Sequence, residues 1–309
     1  MSSFSWDDLR YFLAVARTGQ LSSAARQLRS NHVTVSRRID RLERALTMRL
    51  FERSPKGYVL TIFGERLVEQ AKAMEREAER VGETTATNRT SPRGVVRLST
   101  PEGFGNFFLS ERLPRLAIEH SGLSIEFVTI QQIVSLSRRE ADVAVALHPT
   151  RSGPYRQEEI TPYRLFLYAS RAYLSAHGPI ESRADVMRHP LIGYIDDMIF
   201  TPGLDYLKDF LPGLRAQYQS SSIHAQMAAG RGGVGLCILP HFIARRHHDL
   251  VAVLPQELHL DRAYWLICHE ELAEAPRVRV ILDFLRAETL AAQDVFRGDA
   301  LLHPQHKQR

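Results

Sequence analysis

The side chains best equipped for chemistry gather in one short window. Asn31, His32, Thr34, Ser36, Arg37, Arg38 and Arg41 lie between positions 31 and 41. No nucleophile–base set is visible among them or elsewhere: there is no G-x-S-x-G elbow and no zinc-protease helix. What these residues share is the ability to offer hydrogen-bond donors and positive charge. Arginine grips a guanine edge or a phosphate with two parallel N–H bonds, and hydroxyl groups suit base edges. The chemistry in prospect is recognition of a duplex. Arg53 and Lys56 add two cations around a Ser54-Pro55-Lys56-Gly57 turn, within reach of phosphates. By composition alone, the same residues would also suit the solvated face of any small helical bundle.

Such residues act only if something holds them outward. Val35, Ile39, Leu42 and Leu46 recur at intervals of four, three and four, which makes one apolar stripe along a helix. Asn31 stands where that helix needs an N-cap. The polar set then occupies the helix start and the opposite face. Two helices are predicted before it. In the first, Ser5 caps, Asp8 sits in the first turn, Leu9, Phe12, Leu13 and Ala16 share a face, and Gly19 ends the run. The second is capped by Ser22 and carries Ala24, Ala25 and Leu28. After the third, two extended pieces, 50–53 and 58–60, flank the Pro/Gly turn and predict a hairpin. A helix with an apolar back beside a basic hairpin is the geometry of a winged reader of the major groove.

Charge distribution agrees with this placement. The net charge is +5, yet the first 60 residues hold eleven basic and five acidic side chains, while the remainder holds 29 and 30. A basic end on a near-neutral body fits a nucleic-acid reader joined to something else. At 309 residues the chain is long enough for two or three units, and 44% apolar against 24% charged residues allows real cores. No apolar run of about 18 residues exists, which argues against a membrane-spanning helix. Met1–Arg10 is polar and reads as no secretory signal. Cys237 and Cys268 sit in apolar surroundings, as unpaired thiols of a reducing compartment do. The expected location is cytoplasmic.

From Thr61 a long helix is predicted, with Phe63, Leu67, Ala71, Met74, Ala78 and Val81 close to a heptad seam. A plain surface helix would need a similar stripe. Thr84–Pro92 is polar and reads as a hinge. Beyond Arg93, strand-like runs at 95–99, 125–128 and 142–147 enclose a helical stretch, Leu109–Glu119. Further strands are expected at 165–169, 191–194, 216–220, 236–239 and 262–268, and a helix at Arg277–Leu290. Strand–helix alternation predicts an α/β domain with a mainly parallel sheet.

The strings AARQLRSNHVTVSRRIDRLERAL and RLFERSPKGYVLTIFGERL strongly resemble the N-terminal signature of LysR-type transcriptional regulators. Ala24, Ala25, Leu28, Ser36, Ile39, Leu42, Glu43, Leu50, Phe51 and Leu60-Thr61 occupy its places in order over about forty residues. Three positions depart from the pattern. Asn31 stands where serine is usual, His32 where glutamine is common and Val33 where proline is common, so an idiosyncratic target sequence is expected.

The resemblance continues more loosely over 93–295. It implies a multi-domain chain: a winged helix-turn-helix over 1–61, a linker and dimerisation helix with hinge over 62–92, and a two-lobed, periplasmic-binding-protein-like (type 2) α/β effector domain over 93–295. A tail over 296–309 would complete it. Lobe I would span about 93–162 and 268–295 and lobe II about 163–267, with crossings near Thr161–Arg164 and Trp265–Glu270. It further implies a transcription regulator and not an enzyme. Its partners would be double-stranded promoter DNA, a small-molecule effector and RNA polymerase, in a homodimer through the linker helix and a homotetramer beyond that, with no cofactor. On the resemblance, the effector pocket takes Ser99, Thr100, Pro101 and Glu102 after one strand, Thr129, Ile130 and Gln131 after another, and His148. From the other lobe come Ile199, Phe200, Thr201, Ser221 and Ser222. Each of these also fits a structural cap or a surface polar position, and Glu102 leaves the ligand's charge open.

Three other patterns invite different chemistry. Gly230–Gly235 matches G-x-G-x-x-G, but a dinucleotide loop must follow a strand and open a helix. Here a helical run precedes and an apolar strand follows, so Gly230 reads as a helix C-cap. His241, His247 and His248 read as surface histidines, without ligand spacing. Cys237 and Cys268 lie in separate strands, which speaks against a redox pair. A solute-binding protein would need a secretion signal and an enzyme a catalytic set.

Overall fold

Local signals set the ends of the N-terminal helices. The Ser5 hydroxyl accepts from the Asp7 N–H at 3.3 Å and opens α1 (Trp6–Thr18), which Gly19 closes in the left-handed conformation at φ 67°. The helix α2 (Leu21–Gln27) starts earlier than expected. Its first bond runs from the Ala24 N–H to the Gln20 carbonyl directly after the Gly19 turn, so Ser22 lies inside the helix and not at its cap. The helix α3 (His32–Leu46) is capped by Asn31, whose Oδ1 accepts from the Thr34 N–H at 2.7 Å. Strands β1 (Phe51–Ser54) and β2 (Gly57–Leu60) pair antiparallel with Phe51 opposite Leu60, and α4 (Ile62–Thr84) follows.

In this computed structural model the described residues are 5–54, 57–84, 92–129, 141–150 and 152–302, without the side chains of 76, 77, 79–84 and 202. They fall into two units, Met1–Arg89 and Thr90–Arg309. Lys56, Ile130, Gln131 and the hinge 85–91 lie outside the described residues, as does the Val81 side chain.

In the first unit Leu9, Phe12 and Leu13 of α1, Ala24 and Ala25 of α2, Val35, Ile39 and Leu42 of α3, Phe51 of β1 and Ala71 of α4 share one core. The expected α3 stripe is buried except at its end, where Leu46 is half-buried. The hairpin is seated by Gly57. At its φ of 134° only glycine is at ease, and a Cβ there would lie 2.5 Å from the Gly19 carbonyl oxygen, which accepts from the Tyr58 N–H. Along α4, Ala71 is buried and Leu67 half-buried, whereas Ile62, Phe63 and Met74 remain exposed within the unit.

The second unit is built on β3 (Gly94–Thr100), β4 (Leu123–Thr129), β5 (Val143–Ala146), β6 (Tyr155–Ser170), β7 (Leu191–Gly193), β8 (Tyr218–Gln219), β9 (Leu236–Pro240), β10 (Leu250–Val253) and β11 (His259–His269), in the order β4-β3-β5-β11-β6-β9-β7-β8 with β10 on β6. β3, β4 and β5 run parallel at one end, and β7, β8 and β9 run parallel at the other. The long strands β6 and β11 pair antiparallel and join the two ends, which makes two lobes on one ribbon. The segments expected to cross between lobes lie on this ribbon, where Thr161 faces Tyr264 and the register shifts between Tyr264 and Trp265.

Several boundaries differ from expectation. The strand read at 165–169 is the end of the much longer β6, and 216–220 shrinks to β8. The helix read from Leu109 begins at Leu113, because Pro114 has no N–H to continue an upstream helix and instead starts a new one. Upstream of it, Glu102–Phe104 is helical and Gly105–Leu109 forms a π turn. The chain beyond 295 does not leave the body at once. Helix Gln293–Arg297 buries Phe296 completely among Phe104, Phe108, Phe242 and Tyr264. Gly230 is not a C-cap either. It is a buried helical residue whose missing side chain lets Cys237 approach, and the cap is Gly232.

Candidate nucleic-acid interface and ligand cleft

The buried stripe of α3 turns a polar face outward. Asn31, His32, Arg37 and Arg41 are exposed, Thr34, Ser36 and Arg38 are partly so, and Val33 is 64% exposed at the helix start. Arg37 has no ion-pair partner among the described residues. The described residues expected at phosphates, Arg38, Arg41 and Arg53, are tethered. The fully buried Asp8 carboxylate, on α1, accepts from Arg41 Nε at 2.7 Å and from Arg38 at 3.1 Å, and Asp7 lies 3.6 Å from Arg38. Arg53 pairs with Asp40 at 2.6 Å and Glu43 at 2.7 Å and lies over the Tyr58 ring. Glu43 also accepts from the Leu50 and Phe51 N–H groups, which ties α3 to the start of the wing. These acids aim the arginines, and they also offset part of the positive charge. Neither tether was legible in the sequence, because Asp8 stands thirty and more residues from its partners and Arg53 stands ten and thirteen residues from its own, each pair joining two different elements.

Burial pushes the Asp8 carboxyl up, but the hydrogen bonds from Arg41 and Arg38 pull it further down, and it ends below its ordinary value. A carboxylate held low in the folded state contributes stability above its unfolded value, near about 3.9, and loses it as pH falls through the folded value. Thermal melts between neutral and strongly acidic pH will show the acid-side loss of stability in the first unit flattened by Asp8→Asn. An unchanged acid limb contradicts the tether's role.

In the second unit, Thr100 and Thr129 end neighbouring parallel strands and face each other in register. Ser99 and Thr100 are buried, and Thr100 Oγ1 has no hydrogen-bond partner among the described residues. A Cβ at Gly105 would come within 2.4 Å of both Thr100 Oγ1 and Thr129 Cγ2, so the π turn can close over them only with glycine there. Pro101 begins that turn. Glu102 does not point at open space: its carboxylate accepts from the Ser222 hydroxyl at 2.7 Å and the Ile223 N–H at 3.0 Å in the opposite lobe. Ser222 is also the N-cap of helix Ile223–Arg231, and Ser221 beside it is half-buried.

His148 Nε2 is buried without a hydrogen-bond partner among the described residues, and a Cβ at Gly203 would touch it, so the loop carrying Ile199, Phe200 and Thr201 comes up against the first lobe. Burial, with Arg262 nearby, holds His148 below its ordinary value, so it is neutral at pH 7. Thr201 is buried, Phe200 exposed, and Ile199 lines a shallow depression with Tyr194, Leu204, Tyr206 and Gln226.

Sequence reading missed the aromatic floor of this seam. Tyr163 and Tyr264 stack at 4.2 Å on the two ribbon strands, beside Tyr206 and Tyr194. Burial raises all four phenols, Tyr206 to about 12. Two of the four stand in or beside the expected crossing segments, a signal that was present but not used.

The decoys resolve by topology. Helix Ile223–Arg231 precedes the glycine run and β9 follows it, the reverse of a dinucleotide loop. Cys237 faces Tyr168 and Cys268 faces Arg156 along the same strand, twelve residues apart or roughly 40 Å, too far for a disulfide. His241 is not a surface residue. It hydrogen-bonds the Tyr168 hydroxyl at 3.1 Å, and burial lowers it to about 4.

With the geometry in hand, comparison with known proteins defines the class. Residues 6–65 match the description "Bacterial regulatory helix-turn-helix protein, lysR family", and residues 89–290 match "LysR substrate binding domain". The chain belongs to the LysR family, and it is a DNA-binding transcription regulator with an effector-binding domain, not an enzyme. It is 27% identical to the Mau operon transcriptional activator of Paracoccus denitrificans, covering 94% of this chain and all of that one. It is 25% identical to the transcriptional activator TtdR of Escherichia coli, covering 91% and 92%. The fold matches CrgA, a LysR-type regulator of Neisseria meningitidis, at TM-score 0.59 and 22% identity, over 91% of this chain and 98% of that one. Among the described residues no helix is long and apolar enough to cross a membrane.

Proposed function

We propose that α3 reads double-stranded promoter DNA in the major groove, with Asn31, His32, Thr34, Ser36 and Arg37 at base edges and Arg38, Arg41, Arg53 and Lys56 on phosphates. The observation that carries this reading is the division of α3: Val35, Ile39 and Leu42 are fully buried while Arg37 and His32 stand exposed on the other side. An effector sits between the lobes, against Ser99, Thr100, Pro101, Thr129, Ile130, Gln131, His148 and the segments 199–201 and 221–222. Thr100 Oγ1 and His148 Nε2, both buried without a hydrogen-bond partner among the described residues, support this placement. The effector acts by binding one arrangement of the lobes better than another.

Exposed Ile62, Phe63 and Met74 on α4 support pairing of two copies through that helix, and two paired heads prefer a dyad-symmetric site. A tetramer, a contact with RNA polymerase and a cytoplasmic location complete the proposal. The experiment is a fluorescence-anisotropy titration of the full chain on promoter DNA from its own gene neighbourhood, against a scrambled duplex, with and without candidate metabolites. Tighter binding to the promoter, shifted by a metabolite, is expected; equal binding to both duplexes refutes the reading.

A further inference from the structure

The helix Ile223–Arg231 presents its N-terminus to the seam between the lobes, and a helix start with free N–H groups attracts an anion. That place is already taken. Glu102, from the turn after β3 in the first lobe, puts one carboxylate oxygen on the Ser222 hydroxyl and the other on the Ile223 N–H. The same stretch makes further contacts across the seam. The Phe107 ring stacks on the His224 imidazole at 5.7 Å, Glu111 pairs with Arg246 through both carboxylate oxygens, and a Cβ at Gly103 would touch Ile243 Cδ1 at 3.1 Å. Glu102, Phe107 and Glu111 thus form a row of three different contacts along one edge.

We infer that Glu102 is an internal ligand: it latches the two lobes and occupies the anion seat, so the effector this regulator admits is uncharged or cationic and carboxylates are refused at that helix. The inference rests on the reading that the effector binds between the lobes. The groups left to meet such a molecule agree with it. Thr100 Oγ1 is buried and has no hydrogen-bond partner among the described residues, and a hydroxyl serves an uncharged donor or acceptor equally well. His148 is held below its ordinary value by burial, and Arg262, whose charge also acts on it, is paired with Asp209.

The test uses acetate as the probe of the seat. Thermal melts of the full chain are compared in sodium acetate and in sodium chloride at equal ionic strength. The wild type will melt at the same temperature in both salts. Glu102→Ala empties the seat and will melt lower in chloride, with acetate restoring about 2–4 °C. Glu102→Gln keeps the bulk and one acceptor at the seat, and will show a smaller acetate effect of the same sign; it decides the matter if the alanine variant does not fold. A wild type stabilised by acetate as much as Glu102→Ala, or variants indifferent to the choice of salt, would overturn the latch. The readout needs no effector. A negative result therefore removes the latch and leaves the cleft reading to its own test, the promoter titration with metabolites.

Discussion

Affinity for the promoter will fall about 10³-fold between roughly 50 and 200 mM salt. The expectation comes from counting phosphate holders. In the proposed dimer each head offers Arg38, Arg41 and Arg53, and three contacts per head would give about six for a pair of heads. Six neutralised phosphates correspond to a slope of log affinity against log salt near −5. The ion pairs seen on the free protein do not cancel this. Arg41 spends Nε and one terminal nitrogen on Asp8, and half of its side chain remains exposed. Asp40 and Glu43 hold Arg53 over the wing, while its side chain stays 38% exposed. Anisotropy titrations at four or more salt concentrations measure the slope. A value shallower than about −2 contradicts the assignment of these arginines.

The largest loss of stability from a single truncation is expected outside both functional surfaces, at Phe296. Its ring is fully buried, with centroids 4.7 Å from Phe108, 5.0 Å from Phe242 and 6.0 Å from Phe104. Phe242 lies in the second lobe's short helix His241–Ala244, and Phe104 and Phe108 belong to the first lobe's turn, so Phe296 packs against both lobes. Phe296→Ala removes the ring and leaves a cavity that these rigid neighbours cannot close, at a cost of about 3–5 kcal/mol and 6 °C or more of melting temperature. Deletion from 296 onward will do at least as much damage. A change within about 1 kcal/mol would mean that the C-terminal segment is the tail that the resemblance implied.

What the sequence made legible follows from the range of the interactions involved. Caps and stripes are local, so Ser5, Gly19, Asn31 and the Val35–Ile39–Leu42 stripe could be placed from neighbours a few residues away. The Gly230–Gly235 run could be set aside because the order of helix and strand is also local. Contacts between distant residues were not legible. Asp8 meets Arg41, Glu102 meets Ser222 and Phe296 meets Phe108 only after the chain has folded, and nothing in residue type announces the partner. The short strand β10 and the full length of β6 were hidden for a related reason. A strand that crosses from one lobe to the other changes its surroundings midway, and its exposed half, Arg156–Glu159, has no apolar alternation to reveal it. The family signature implied the two lobes that local pattern could not, yet it did not foretell that Glu102 would accept from Ser222 and Ile223 of the opposite lobe.

The central claim, that the outward face of α3 reads DNA, is tested most directly by Arg37→Ala. Arg37 is exposed and takes no part in the core, so the variant should fold and melt like the wild type. The measurement is the ratio of affinities for promoter and scrambled duplex, at one salt concentration. The ratio will drop roughly 5- to 150-fold, as expected for the loss of one base contact of about 1–3 kcal/mol. A variant that folds normally and keeps the wild-type ratio would contradict the account.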